Sequence, residues 1–192
     1  MAAAATYHVA VLALALLAPP SLSQKAGLGP CPEVDVMPDF NVSAYLGKWY
    51  EQYRYFAIFE GQGDCVTATY SDNGDGVVTV ENTANNPNTG ITETIKGTAN
   101  LASDGGDGRL LVSFPLTGSL KAPYWILDTD YDSYSVVWSC SSLANIANAQ
   151  FSWLLTRDKN PSSETLQRMF SVLDKNNLET KSYIKTNQNC NN

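Results

Sequence analysis

Along the middle of the chain, apolar and polar residues alternate one by one; near the end the spacing changes to three and four. From Tyr45 to Thr156, short runs of β-branched and aromatic residues are separated by turn residues. Val66-Thr67-Ala68-Thr69-Tyr70 leads into Ser71-Asp72-Asn73-Gly74-Asp75-Gly76, and Val77-Val78-Thr79-Val80-Glu81 follows. Asn-Gly and Asp-Gly steps between such runs signal hairpins, because glycine takes positive φ without steric cost. A second turn, Asp104-Gly105-Gly106-Asp107-Gly108, precedes Leu110-Leu111-Val112-Ser113-Phe114, and further runs cover 91–101, 124–127, 134–138 and 151–156. This spacing predicts an all-β antiparallel meander, folded as a sandwich or a closed barrel.

One helix follows. Asn160 is placed to cap it, Pro161 suits the first helical position, and Glu164 falls in the first turn. Leu166, Met169, Phe170 and Leu173 recur at helical spacing and form one apolar stripe, which predicts a helix packed on the barrel wall. Tyr183-Ile184 reads as one more short strand. With no internal repeat or linker, residues 24–192 form one domain.

Alternation also assigns faces. Phe151, Trp153 and Leu155 share one face of their strand, and Leu110, Val112 and Phe114 share one face of theirs, so both sets line one interior. An eight-stranded barrel is just wide enough to fill itself or to enclose one small ligand. The pattern leaves that choice open.

Composition narrows the chemistry. The chain has 192 residues with 12 Lys+Arg against 19 Asp+Glu, a net charge of −7. That balance argues against nucleic acid or an anionic membrane as partner, since both need clustered cations. Residues 1–23 carry no charged side chain. Their apolar run, 9–18, is too short to span a bilayer, and Ser21-Leu22-Ser23 supplies small residues before a cut at Gln24. This predicts a signal peptide and a secreted, extracellular protein. No later segment suits a membrane anchor. The single histidine, His8, leaves with the leader. Ser–His–Asp and Cys–His nucleophiles and histidine zinc sites then leave with it. A calcium loop counted from Asp72 fails, because Gly74 and Gly76 stand where ligands belong. No metal or cofactor is expected.

Four cysteines remain, Cys31, Cys65, Cys140 and Cys190, with no C-x-x-C pair. An even count in a secreted chain favours two disulfides, with three pairings open. Asn41-Val42-Ser43 is a glycosylation sequon.

Three motifs then come together: Gly47-Lys48-Trp49-Tyr50 after a capped turn, Thr129-Asp130-Tyr131 between two strands, and Arg157 at the end of the 151–156 strand. Gly-x-Trp, Thr-Asp-Tyr and a late Arg in that order, with a helix beyond, resemble the lipocalin family. The resemblance covers residues 28–190. Tyr45–Glu51, Ala122–Leu127 and Ser139-Cys140 place the likeness in the branch of apolipoprotein D and the arthropod Lazarillo-type, bilin-binding and crustacyanin-like proteins. It implies an eight-stranded antiparallel up-and-down β-barrel with one C-terminal helix, and the pairing Cys31–Cys140 and Cys65–Cys190. Gly47, Trp49, Thr129, Asp130, Tyr131 and Arg157 are then fold-defining: Trp49 plugs the closed end, and Arg157 lies over its indole. Apolipoprotein D uses an extra cysteine for a covalent partner where this chain has Ser142, so no such partner is expected.

The function implied is a carrier of a small hydrophobic ligand such as a fatty acid, retinoid or sterol-like lipid. Its expected lining is Val66, Ala68, Tyr70, Leu110, Val112, Phe114, Tyr124, Ile126, Phe151, Trp153 and Leu155, with Tyr70 and Tyr124 donating to ligand oxygens. Few cations are expected in that interior. Phe56, Ile58 and Phe59 fall at the mouth, where they contact ligand or a lipid surface or pack the loop. A bilin or carotenoid carrier is the alternative. An isomerase working through a free thiol is disfavoured, because Cys65 is committed to a disulfide.

Overall fold

A computed structural model describes residues 25–55, 63–102, 106–115, 118 and 120–190. The leader and the mouth residues Phe56, Ile58 and Phe59 lie outside the described residues. Of the two architectures left open by the strand pattern, the chain adopts the closed barrel. Eight strands form it: β2 (Gly47–Tyr55), β3 (Asp64–Asp72), β4 (Val77–Asn85), β5 (Thr92–Leu101), β6 (Arg109–Ser113), β7 (Ala122–Thr129), β8 (Tyr134–Leu143) and β9 (Ala147–Thr156). Each pairs antiparallel with the next, and β9 returns to β2 to close the ring. Closure leaves the ring itself without an edge strand.

Two short strands sit where β2 changes partners. β2 pairs with β3 only from Gly47 to Tyr50, then with β9 from Tyr50 to Arg54. β1 (Lys25–Leu28) extends the β9 side, and β10 (Tyr183–Lys185) lies along β2 opposite Tyr53–Tyr55. Beyond β10, the amide of Cys65 donates to Asn187 O at 2.8 Å, so the C-terminal tail fills the wall between β2 and β3. Disulfides join Cys31 to Cys140 and Cys65 to Cys190, the pairing implied by the resemblance.

The helix starts later than the sequence suggests. Ser162 caps α2 (Ser163–Lys175), its hydroxyl accepting from Thr165 N at 3.1 Å. Asn160 instead donates its amide to the Asp158 carboxylate at 2.8 Å, so the expected Asn160 cap and Pro161 start are corrected. The local Asx contact satisfies the Asn160 amide and leaves Ser162 the first side chain able to reach an orphan helix donor. The apolar stripe lands as expected: Met169 and Leu173 are fully buried against Val136, Trp138 and Leu154 on the outside of the barrel. Ile91, expected within β5, sits in the preceding turn, its carbonyl accepting from Asn86 N at 2.9 Å.

A second cluster fills the inside: Trp49, Tyr70, Val78, Val80, Ala99, Leu110, Val112, Ile126, Val137 and Leu155. β8 therefore serves both clusters, which is why Tyr134–Cys140 is buried without alternation.

Candidate ligand-binding site

One end of the barrel is sealed. The four-residue helix α1 (Val42–Tyr45), capped by the Asn41 side chain, brings Tyr45 under the barrel. Tyr45 packs on Trp49 with ring centroids 5.0 Å apart, and Phe40 packs on Tyr45 at 5.2 Å. Trp49 has no exposed surface, and its indole Nε1 donates to Tyr45 O at 2.9 Å. The Arg157 guanidinium lies 3.7 Å from the Trp49 ring centroid. It donates to Tyr131 O and Lys48 O at 2.9 and 3.0 Å, and its Nη2 satisfies carbonyls left open at the end of α1, Ala44 O and Tyr45 O at 3.2 Å and Leu46 O at 2.9 Å. Gly47 takes φ +98°, and a Cβ there would stand 3.1 Å from Arg157 Nη1, so glycine lets the chain turn beneath the guanidinium.

The Thr129-Asp130-Tyr131 motif turns the chain at the same end. Thr129 Oγ1 donates to Tyr134 O at 2.6 Å, and Asp130 accepts from the amides of Ser133 and Tyr134 at 2.8 and 3.0 Å. Partial burial by itself would raise the Asp130 pKa, but the Ser133 hydroxyl, which also donates to it, and these amides outweigh that and hold the carboxyl below its ordinary range. Tyr131 OH accepts from Asn41 N at 3.0 Å, tying the turn to α1.

Going away from this plug, the inward faces become progressively less buried. On β9, Leu155 is 3% exposed, while Trp153 and Phe151 are only half-buried. On β3 the same change runs from Tyr70 to Ala68, on β4 from Val80 to Asn82, and on β7 from Ile126 to Tyr124. On β5, Ala99 is fully buried and Ile95 is 40% exposed. Here the interior is packed at the plugged end and accessible toward the other.

Nine of the expected lining residues meet in this interior. Tyr70, Leu110, Val112, Ile126 and Leu155 belong to the inner cluster, and Ala68, Phe114, Tyr124 and Trp153 pack against it. Phe151 joins through its stack on Trp153, with centroids 6.3 Å apart and planes 10° apart. Val66 falls beside the irregular pairing between Asp64 and Thr67, and its carbonyl accepts from Gln188 Nε2 at 2.9 Å. Phe114 lies across Gly97, where a Cβ would come within 2.6 Å of its ring. Rings thus climb from Tyr45 through Tyr70, Tyr124 and Trp153 to Phe151.

The polar groups inside differ from expectation. Tyr70 and Tyr124 share a hydrogen bond at 2.5 Å, so their hydroxyls already hold each other. Burial first, then the neighbouring phenols, pushes both far above the ordinary tyrosine range, and Tyr45 is pushed up to about 12. All three stay neutral near pH 7. Two features were missed. Asn82 faces inward opposite Ala68, and its Oδ1 is buried without a hydrogen-bond partner among the described residues. Glu51 stands opposite Leu155 and Arg54 opposite Trp153, which places a buried ion pair, 2.5 Å apart, on the inner face. Thr186 of the tail donates to the same Glu51 oxygen. Burial, only partly offset by Arg54, raises the Glu51 pKa. Arg54 is an inward cation that the expected lining did not include. Val78 and Val80 were legible in the alternation of Val77–Glu81; Glu51 and Arg54 carried no such signal.

Outside the barrel, a cleft of about 610 Å³ lies between the Asp132-Ser133 turn and the start of α2. Arg157, Lys159, Asp132 and Asp158 line it beside Tyr50 and Pro161, so charges of both signs border the cleft.

A plugged antiparallel barrel with an accessible aromatic interior defines a class, and comparison with known proteins agrees. The family described as lipocalin-like domain matches residues 40–188. The chain belongs to the lipocalin family. It is 38% identical to the Lazarillo protein of Schistocerca americana over 185 residues, covering 95% of this chain and 85% of that one. It is 36% identical to apolipoprotein D of Mus musculus over 169 residues, with 87% of each chain covered. Among solved structures, insecticyanin from the tobacco hornworm Manduca sexta superposes with a TM-score of 0.75 at 23% identity, covering 86% of this chain and 89% of that one. Lobster apocrustacyanin A1 superposes with a TM-score of 0.74 at 23% identity, covering 89% and 93%. At that identity, both support the fold alone.

Proposed function

We propose that the protein is a secreted carrier that holds one small hydrophobic molecule in the accessible half of its barrel. The burial gradient along the inward faces carries this reading. An apolar guest seated against Ala68, Phe114, Tyr124, Phe151 and Trp153 is stabilised by roughly 25 cal/mol per Å² of surface removed from water. Asn82 offers a polar contact, because a ligand hydroxyl or N–H donating to its buried Oδ1 relieves an acceptor that is costly to leave unmade. A neutral lipid is preferred to a pigment: no histidine remains after leader removal, and the inward cation Arg54 is engaged with Glu51.

Catalysis is not part of this proposal, since all four cysteines are in disulfides and the resemblance to thiol isomerases fails there. Residues 1–23 act as the leader. Asn41 is exposed and caps α1 through its Oδ1, which leaves its Nδ2 for a glycan.

Native mass spectrometry of the gently purified secreted protein tests the reading. The expected spectrum holds a non-covalent adduct of lipid mass on a chain beginning at Gln24, with no visible absorption band. A protein that emerges empty and takes up no retinoid, sterol or fatty acid when offered each overturns the carrier reading. A visible chromophore replaces the lipid with a pigment.

Trp153→Ala is expected to weaken binding of a fluorescent retinoid by about tenfold or more, equivalent to ~1.4 kcal/mol. Far-ultraviolet circular dichroism should stay unchanged, because Trp153 faces the accessible space and is not fully buried. Titration of both proteins with retinol measures the effect, and equal affinities would remove Trp153 from the site.

A further inference from the structure

β2 and β3 leave the plug as a pair and then separate. They pair from Gly47↔Tyr70 to Tyr50↔Thr67, and beyond that no register joins Glu51–Tyr55 to Asp64–Val66 among the described residues. The C-terminal tail occupies this seam. It runs antiparallel to β2, with Tyr183–Lys185 opposite Tyr55–Tyr53 and Thr186 N donating to Gln52 O at 2.9 Å. Its hold on β3 is thinner. Cys65 N donates to Asn187 O at 2.8 Å, Asn187 Nδ2 donates to Asp64 Oδ2 at 2.9 Å on the surface, and the Cys65–Cys190 bridge lies beyond.

One buried side chain spans the seam. Gln188 is 6% exposed, and its Nε2 donates to Glu51 O on β2 at 2.7 Å and to Val66 O on β3 at 2.9 Å. A primary amide nitrogen carries two N–H groups, so this one supplies a rung to each strand. The seam borders the interior, because Glu51 stands opposite Leu155 and Arg54 opposite Trp153, and Arg54 Nη1 reaches Thr186 Oγ1 of the tail at 3.1 Å. We propose that Gln188 is a positioning residue for ligand exchange. Its two hydrogen bonds hold β2 to β3 beside the cavity, and their breaking opens the wall near Trp153 for a small hydrophobic molecule to enter and leave. This rests on the carrier reading, for which it names the step that limits loading and release.

Parting two laddered strands breaks a row of backbone bonds. The seam parts when the Gln188 bonds and the Cys65–Asn187 bond are lost, so it opens at lower cost than a laddered stretch of wall. Residues 183–186 stay on β2 meanwhile, and Cys190 stays tethered to Cys65, so the 187–189 link limits the opening. Such a gate acts on rates. A wall that opens alike in the empty and the loaded protein favours neither state, so affinity is unchanged. This separates Gln188 from Trp153, whose truncation weakens binding itself.

The experiment is stopped-flow exchange of retinol on the full secreted protein, disulfides intact, comparing wild type with Gln188→Met and Gln188→Lys. Methionine keeps the length and supplies no donor, whereas a lysine ammonium can donate to both carbonyls. Gln188→Met should raise association and dissociation rates together by at least about fivefold, the scale of two lost hydrogen bonds. Equilibrium affinity should hold to about twofold. Gln188→Lys should return both rates to wild type. Amide exchange in Gln188→Met should quicken along 51–55 and 64–67 and stay unchanged in α2. Wild-type rates in Gln188→Met overturn the proposal and leave the carrier reading intact. So does faster dissociation matched by lost affinity, which would make Gln188 a ligand contact. Faster amide exchange throughout the barrel and α2 also overturns it, by reducing Gln188 to general stability. Fast exchange that persists in Gln188→Lys defeats the hydrogen-bond account. Wild type that takes up neither retinol nor a fatty acid overturns both readings.

Discussion

Trp49→Ala is expected to lower unfolding free energy by about 3–5 kcal/mol, the range for large aromatic truncations in packed cores. Three contacts are lost together. The indole has no exposed surface, its Nε1 donates to Tyr45 O, and its face carries the Arg157 guanidinium. The cation–π contact contributes roughly 0.5–2 kcal/mol. Truncation also empties the plug between Tyr45 and β2, so Tyr45 loses its neighbour and the 131–133 turn loses its anchor through Arg157. Urea unfolding followed by tyrosine fluorescence and circular dichroism measures the shift. A loss below about 0.5 kcal/mol, the scale of an ordinary surface change, would mean that the plug is held by α1 alone.

Removing the Cys65–Cys190 bridge is expected to cost about 4–5 kcal/mol by the chain-entropy account, given its separation of 125 residues. For a domain of this size that is roughly a 10–20 °C fall in Tm. Cys31–Cys140, with a separation of 109, predicts a similar loss. The two differ in what they release. The tail beside Cys190 gives Thr186 N to Gln52 O at 2.9 Å and Gln188 Nε2 to Glu51 O at 2.7 Å. It also supplies the Thr186 hydroxyl to the Glu51 carboxylate. Cys65→Ser/Cys190→Ser should therefore speed amide exchange along 51–55 and 64–67, whereas Cys31→Ser/Cys140→Ser should leave those segments protected. Calorimetry with hydrogen exchange on both variants makes the comparison. Unchanged protection at 51–55 would assign the tail's hold to its hydrogen bonds and not to the bridge.

The barrel was legible where period two is kept. Arg109–Ser113 alternates with an exposed Arg109, and the inward sets of this strand and of 151–156 are the ones found inside, although the outer residues Ser152, Leu154 and Thr156 are themselves buried. β8 was not legible in this way, because α2 covers its outer face and Tyr134–Cys140 is buried throughout. Val137 points in and Trp138 out, and only a partner on each side separates them. The ion pair on β2 was hidden for another reason. Between Glu51 and Tyr53 the register slips, so Gln52 and Tyr53 face outward in succession and Arg54 turns in. A charged pair in a strand reads as solvated by local pattern, and one extra residue reverses that.

What the sequence determined by itself is local and periodic: turns where glycine and Asx residues meet, strand faces where period two is kept, the apolar stripe of α2, and the ordered Trp, Thr-Asp-Tyr and Arg motifs of the plug. Tertiary structure decided the contacts between residues far apart in the chain. It joined the hydroxyls of Tyr70 and Tyr124, left Asn82 Oδ1 buried without a partner among the described residues, and brought Thr186 to Glu51. Each of these depends on cross-strand register and ring closure, which bring together positions whose spacing along the chain carries no periodic signal.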